Sequence, residues 1–283
     1  MSQQFFRKVK SCLLLWNIRF LYMLPFFTRK VRRCPVCGAS CQELEFVNRH
    51  TPLDRCTTCG HVYSRKVPKK RILLLIYKGL RYWEEDKHHQ GITKIEYGPH
   101  WKEFLDVRMG IVEKTGVVSG DRKLKVFEIG CSEGILLREL ENRGHTAAGC
   151  EMNVATAEAG TRELGVSIDA DLFENLILED YCYDVVLSFH TIEHVADLDR
   201  VFEKISQMLK NDGSLLIEVP CRSEEYTNTD HLQFFCEESL KTILGRFFDE
   251  AEIIPNAYTN VRGVEIGSLY GIGRRPRRPL RAS

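Results

Sequence analysis

Two cysteine pairs carry the clearest chemistry in the chain. Cys34-Pro-Val-Cys37-Gly and Cys56-Thr-Thr-Cys59-Gly are both C-x2-C pairs followed by glycine, with eighteen residues between them. A C-x2-C turn aims two thiolates at one ion, and the glycine after it relaxes the backbone so that amides face the sulfurs. Four soft ligands in a tetrahedron suit Zn2+ and leave no open coordination position, so the expected role is structural. Cys41, His50 and His61 are substitute donors, but they break the symmetric spacing. A second constellation lies further along. In Glu128-Ile-Gly130-Cys-Ser132-Glu-Gly134, glycines follow an apolar run and allow the backbone to approach a ligand. Glu151, seventeen residues beyond Gly134, is placed to take both hydroxyls of a ribose, and Asp171 to accept from an adenine amino group, with Asp169 as the neighbouring choice. Carboxylates at three strand ends suit a nucleoside carrying positive charge and no phosphate. A pyrophosphate would call for G-x-G-x-x-G, and that spacing is absent.

The elements that must hold these residues can be read from residue 124 onward. Leu124–Ile129, Thr146–Cys150, Val166–Ile168, Tyr183–Phe189 and Ser214–Val219 read as apolar strands. Between them come helical stretches at 135–144, 154–164 and 198–209, and Asn211-Asp212-Gly213 marks a turn before the fifth strand. Strands alternating with helices at this interval predict an α/β fold with a doubly wound, mostly parallel sheet. Ligands of such sheets sit at the carboxyl ends of the strands. Upstream, residues 65–115 are helical in tendency. Trp101, Phe104, Leu105, Ile111 and Val112 form an apolar stripe interrupted by Arg108. The expected organisation is a basic, apolar segment at 1–33, a zinc ribbon at 34–66, a helical connection at 67–119, a cofactor domain at 120–272 and a basic tail at 273–283.

Composition narrows the class. A chain of 283 residues that is 43% hydrophobic and 28% charged is globular, which excludes a disordered, collagenous or polytopic membrane protein. The net charge of +1 conceals an asymmetry: residues 1–33 hold eight Lys/Arg and no acid, residues 272–283 hold five Arg and no acid, and the body between them is acidic. Basic ends on an acidic body predict contact with an anionic surface, or else merely solubilising termini. Residues 12–27 (CLLLWNIRFLYMLPFF) would span about 24 Å as a helix, short of a ~30 Å hydrocarbon core. Flanked by Arg and Lys, the segment predicts an interfacial helix on an anionic leaflet, or one docked on the protein's own body. Of eleven cysteines, five lie in 34–59 and the rest are scattered, which points to a reducing, cytoplasmic setting.

The second constellation resembles the class I S-adenosylmethionine-dependent methyltransferases. VFEIGCSEG looks like their first motif and Glu151 like their ribose-binding acid. YDVVLSFHTIEHVADL and LKNDGSLLIEVP look like their fourth and fifth strand signatures. The likeness covers residues 120–272 and implies a seven-stranded Rossmann-like sheet, S-adenosyl-L-methionine as cofactor, and a cofactor site drawn from Glu128, Gly130, Ser132, Gly134, Glu151 and Asp171. Ser132 stands where the family's motif has its middle glycine. The four-cysteine ribbon, the IEHV segment and DHLQFFCEESL resemble bacterial small-molecule methyltransferases, among them sugar C-methyltransferases and enzymes of surface-glycan biosynthesis. That implies a small-molecule acceptor, a sugar or glycan precursor among the candidates, although the sugar enzymes usually carry a further C-terminal domain. A hydroxyl or carbon acceptor must lose a proton, and histidine has the fitting pKa. His194 and His231 lie beyond the carboxyl ends of the fourth and fifth strands. By the resemblance, the loop holding His231 closes over the acceptor, which makes His231 the first choice of base, His194 the second and Tyr226 a weaker contact.

Rival readings have their own signals. Gly130-Cys-Ser132-Glu-Gly134 is also G-x-S-x-G, the elbow of α/β-hydrolases, with Asp184 and His194 or His231 following in order. That elbow normally comes after several strands, and it leaves Glu128 and Glu151 unexplained. A zinc ribbon with basic ends would suit RNA methylation, against which the acidic body argues. A non-catalytic scaffold would not need the intact carboxylates.

Overall fold

The computed structural model describes residues 26–40, 42–46, 52–69, 99–119, 122–221, 231–259 and 265–278. The segment 12–25, Cys41, His50, Tyr226 and the last five residues lie outside them.

The N-terminal part is built from short antiparallel pairings. Strand β1 (Thr28–Lys30) pairs with β5 (Lys66–Pro68), and β2 (Gln42–Phe46), β3 (Leu53–Cys56) and β4 (Val62–Ser64) form a meander. This meander gains a fourth strand from far along the chain: β11 (Gln233–Phe234) pairs with β4, setting Gln233 opposite Tyr63 and Phe234 opposite Val62.

Helix α1 (Pro99–Lys114) leads into the main sheet. Its strands are β6 (Lys125–Ile129), β7 (Thr146–Cys150), β8 (Ser167–Asp169), β9 (Tyr183–Phe189), β10 (Leu209–Pro220), β12 (Phe248–Thr259) and β13 (Glu265–Pro276). The order across the sheet is β12-β13-β10-β9-β6-β7-β8, and β13 alone runs antiparallel to its neighbours. Helices α2 (Ile135–Asn142), α3 (Val154–Leu164), α4 (Leu198–Met208) and α5 (Glu237–Phe247) make the connections. The expected doubly wound sheet is present. The fifth strand starts earlier than its apolar run predicts: β10 takes in Asn211-Asp212-Gly213, whose turn chemistry survives as a register shift between Leu209 and Ser214.

Both faces of the sheet are covered, as a parallel sheet requires. All seven residues of β9 are buried. Val185, Leu187 and Phe189 face a core shared with Val112, Leu136, Leu137 and Leu140, whereas Val186 joins Phe202, Ile205, Leu240 and Leu244 on the other side. In α4, Val201, Phe202, Ile205 and Met208 are buried at helical spacing, which docks that helix on the second face. Cys34, Cys56, Cys59 and Tyr63 join the same cluster, so the ribbon packs against the sheet's own core.

The order reverses between β6 and β9. One half of the chain winds outward through β7 and β8, the other through β10. Loops leaving the carboxyl ends of β6, β7, β8 and β9 therefore gather on one edge and open a crevice there.

Candidate active site

At the end of β6 the backbone turns sharply at Gly130, with φ of +74°. A Cβ there would lie 2.1 Å from Thr191 Oγ1, so no other residue fits without moving the β9 loop. The amides of Gly130 and Cys131 both donate to Cys150 O, at 2.8 and 3.0 Å, which ties the loop to the end of β7. Ser132 adopts φ of +51°, the left-handed conformation its position in the motif asks of a glycine. Its amide donates to Glu151 Oε2 (3.2 Å), and the amide of Asn153 donates to Glu151 Oε1 (2.9 Å). Both carboxylate oxygens of Glu151 are thus oriented by backbone. Burial raises the Glu151 carboxyl above its usual range, against the lowering effect of those two amides. Gly134 caps α2 in a left-handed conformation, and Asn153 caps α3 by accepting from the Thr156 amide.

These loops surround a cavity of about 380 Å³, within the range of small-molecule sites. Its lining includes Gly130, Ser132, Glu151, Asp171, Thr191 and His194. Asp171 Oδ1 accepts from the Leu172 amide (2.8 Å) and from Asn175 Nδ2 (3.0 Å), which fixes the carboxylate at the rim. Glu128 is 1% exposed beneath the loop, and its Oε2 has no hydrogen-bond partner among the described residues. Burial pushes its carboxyl up to about 7, opposed by Arg108 and reinforced by Glu151. Arg108 also lines the cavity, with its guanidinium 4.9 Å from the centre of the Phe189 ring. The arginine that interrupts the apolar stripe of α1 thus has a place in the site. An isolated charge in a buried stripe was the signal for it.

The histidines meet at the end of β9. His194, in the short 3-10 turn Ile192–His194, lines the cavity. The His231 ring stands edge-on to it, centroids 4.8 Å apart. One oxygen of Glu193 and a ring nitrogen of each of these two histidines all lie within 4.8 Å of one another. Glu193 is buried, and on its other side His190 Nδ1 lies 3.6 Å from Oε1. His190 Nε2 lies 3.5 Å from Glu218 Oε1. Burial alone would lower the His190 imidazole, but the two carboxylates outweigh it and raise it to about 9. Burial would likewise raise Glu193 and Glu218, and the imidazole beside them turns both shifts downward. His190, Glu193 and Glu218 were not singled out from sequence. The signal existed: a single acid inside LLIEVP, and polar residues directly after the largely apolar strand YDVVLSF.

The serine-hydrolase constellation does not assemble. Asp184 lies at the amino end of β9, away from the cavity, where it accepts from the Lys125 amide (2.8 Å), Arg122 (2.9 Å) and Lys210 (2.9 Å). The Ser132 hydroxyl donates to Glu133 Oε2 at 2.7 Å, a carboxylate where an elbow nucleophile needs an imidazole.

In the ribbon, the sulfurs of Cys34, Cys37, Cys56 and Cys59 all lie within 4.8 Å of one another. Cys34 Sγ is 3.6 Å from Cys59 Sγ, and Cys37 Sγ is 3.5 Å from Cys56 Sγ. A tetrahedron with Zn–S bonds of about 2.3 Å has edges of about 3.8 Å, so the cluster has the size for Zn2+. The knuckle glycines Gly38 and Gly60 sit at φ of +74° and +69°. Burial would raise the Cys56 thiol, but the amides of Cys59 and Thr58 outweigh it and bring it to about 7. His61 takes no part as a donor to this cluster; its Nε2 lies 3.0 Å from Gln233 Oε1.

A methyltransferase-domain family model matches residues 104–253, just over half of the chain, from within α1 to within β12. The chain belongs to that methyltransferase family. Among curated relatives, the ubiquinone biosynthesis O-methyltransferase of Chelativorans sp. (strain BNC1) is 33% identical over 99 residues, covering 33% of this chain and 39% of that protein. The enzyme of the same description from Pseudomonas savastanoi pv. phaseolicola is 28% identical over 144 residues, covering 48% of this chain and 56% of its own length. The chain thus spans roughly two fifths to just over half of these relatives. A candidate methyltransferase of Bacillus halodurans C-125 superposes with a TM-score of 0.50 at 9% identity, over 60% of this chain and all of its own, which is likeness of fold. The ribbon and β13 lie outside the matched residues, which overlap the 120–272 stretch of the sequence resemblance. Among the described residues, no helix is long and apolar enough to cross a membrane.

Proposed function

We propose that this methyltransferase domain uses S-adenosyl-L-methionine to methylate a small molecule. The observation that carries the reading is the gathering of Gly130, Ser132, Glu151, Asp171 and His194 around one cavity, with His231 outside its lining and packed against His194. The donor set fits the cofactor. It offers the Glu151 and Asp171 carboxylates in the cavity lining, which favour a cationic, hydrogen-bond-donating ligand, with Glu128 buried beneath the loop. The bound cofactor supplies an electrophilic methyl group on a sulfonium. Glu151, held by two amides, would take the ribose hydroxyls, and Asp171 the adenine. Gly130 and Gly134 keep the loop close. Arg108 adds a cation at the β9 side of the cavity. His231, with His194 beside it, would orient the acceptor and accept its proton, a function for which an imidazole near neutral pH is suited. Cys34, Cys37, Cys56 and Cys59 would hold a structural zinc ion.

The acceptor class proposed is a small hydroxyl-bearing or carbon-nucleophile compound. The O-methyltransferase relatives support a small-molecule acceptor, and the ribbon's resemblance to sugar methyltransferases supports a sugar or glycan precursor. Five of the eleven cysteines cluster in 34–59 and the rest are scattered, which supports a cytoplasmic setting. Attachment of residues 12–27 to the inner leaflet remains part of the proposal and rests on their sequence. The test is a metabolite extract incubated with methyl-labelled S-adenosylmethionine: one small product should gain the label. Label confined to nucleic acid, or none in any fraction with a protein that does not bind the cofactor, would overturn the reading.

A further inference from the structure

Between the cysteine cluster and the histidine pair stands one buried glutamine. Gln233 is 3% exposed and hydrogen-bonded in both directions. Its Nε2 donates to Val195 O at 2.8 Å, and its Oε1 lies 3.0 Å from His61 Nε2. A backbone carbonyl only accepts, so the amide orientation is forced, and His61 must be the donor to Oε1. On one side, Val195 directly follows His194, and Gln233 is two residues from His231. On the other, His61 is two residues past Cys59, and its carbonyl accepts from the Cys56 amide at 2.8 Å, closing the second knuckle. The His61 ring is fully buried, stacked parallel to Tyr63 and 4.8 Å from Phe235.

The backbone around Gln233 repeats the connection. The Leu232 amide donates to Glu193 O and its carbonyl accepts from the Ser64 amide, each at 2.8 Å. One residue thereby joins the turn that carries His194 to strand β4 of the ribbon. Cys236 packs on the knuckle as well: its Sγ is 3.6 Å from where a Cβ of Gly60 would stand.

We propose that Gln233 is a positioning residue that couples the four-cysteine centre to the His194–His231 pair, so that metal in the ribbon governs the placement of both imidazoles. The geometry is asymmetric in a useful way. Removing metal frees the 56–61 knuckle, and with it the donor on His61. The Gln233 amide then loses one of its two anchors, and the 231–236 segment loses the pairing that seats it over the 190–196 loop. A glutamine that merely satisfied two buried polar groups would leave the loop indifferent to the metal. The kinetic arm of the proposal rests on the methyl-transfer reading; the structural arm does not.

The experiment is hydrogen exchange by mass spectrometry on the full-length, zinc-loaded chain, before and after metal is removed with a chelator. In the wild type, exchange in 231–236 and in 190–196 should rise at least about tenfold on metal removal. In Gln233→Met, which keeps bulk and removes both hydrogen bonds, 190–196 should exchange faster with metal present and respond little to its removal. Gln233→Glu sets an acceptor against Val195 O while keeping one toward His61, and it serves the same comparison if the Met variant does not fold. His61→Gln, which retains a donor, should restore the wild-type response, and His61→Leu should not. Where methyl transfer is established, Gln233→Met should lower turnover about 10- to 100-fold with cofactor affinity and zinc content unchanged. A wild-type 190–196 loop indifferent to metal removal, or a Gln233→Met response equal to that of the wild type, would overturn the proposal whether or not methyl transfer is found.

Discussion

His194 and His231 stand edge to face at 4.8 Å, although one belongs to the turn after β9 and the other to the loop before β11. Both approach Glu193: His231 Nε2 is 3.9 Å from its Oε1, and the buried carboxylate is held well ionised by the histidines around it. A buried carboxylate at that distance stabilises a protonated ring through its charge, which suits a base that must take up a proton and release it again.

The pair should therefore act as a unit. His231→Ala is expected to lower methyl transfer by ~10²–10⁴-fold, the usual share of general acid–base catalysis, with cofactor binding little changed. His194→Ala should fall in the same range, and the double variant should lose much less than the product of the two. Single-turnover rates with the identified acceptor check this. A His231→Ala enzyme within a few-fold of wild type would leave proximity as the whole source of rate.

Glu151 provides a test of the cofactor end. Its two oxygens are oriented by Ser132 and Asn153, so little stands between the carboxylate and a ligand's hydroxyls. Glu151→Ala should weaken S-adenosylmethionine by roughly 1.5–3 kcal/mol, the range for hydrogen bonds to charged groups. Gly130→Ala should do more harm, because a Cβ would strike Thr191 and φ of +74° disfavours it. Calorimetric titration of both variants is the measurement. An unchanged affinity in Glu151→Ala would remove that residue from the site.

The cysteine cluster makes a compositional prediction. Purified chain should hold about one equivalent of zinc, and its four ligand thiols should resist alkylation until metal is removed. Cys56→Ser should lose the metal and a large part of the stability, because Cys34, Cys56 and Cys59 lie in the same apolar cluster as α4 and α5. Less than about half an equivalent, with all four thiols freely alkylated in the native protein, would exclude a structural site.

How far the fold was legible follows from what each signal depends on. Strand and helix alternation is local, so β6 through β9 emerged from periodicity within a residue, whereas β10 begins at Leu209, ahead of the apolar run that starts at Ser214. Glu151 and Asp171 were legible as cavity-lining residues because they lie one and two positions past the carboxyl ends of β7 and β8, where such a sheet opens its crevice. Glu193 was not, because nothing within IEHV distinguishes the residue that faces inward from the one that lines the cavity. The pairing of β11 with β4 was not legible either. A two-residue strand has no period, and its partner lies some 170 positions earlier in the sequence. Gln233 inherits its role wholly from that pairing.

The last prediction concerns pH. His190 sits between Glu193 and Glu218 with φ of +52°, a conformation that a bulky residue rarely adopts unless its contacts hold it there. Its folded pKa of about 9 lies above the ordinary 6.5, so its contribution to stability is complete below about 6.5 and is lost as pH rises through 9. Glu193 and Glu218 are shifted the other way, so their contribution holds above the ordinary carboxylate value near 4.5 and fades on acidification. Because the shifts describe one set of ion pairs, stability should be highest between about 4.5 and 6.5 as far as this cluster decides it. It should decline towards pH 9. His190→Asn tolerates the left-handed backbone and removes the imidazolium. Its urea midpoint should lose the decline between pH 6.5 and 9. It should instead rise as pH falls towards 4.5, because two buried carboxylates that have lost the imidazolium between them gain by protonation, to the extent that His194, His231 and Arg108 do not replace it. Midpoints measured at half-unit steps across this range decide the matter. Parallel curves for wild type and variant would show that His190 is neutral in the folded protein and that the carboxylates are balanced by another cation.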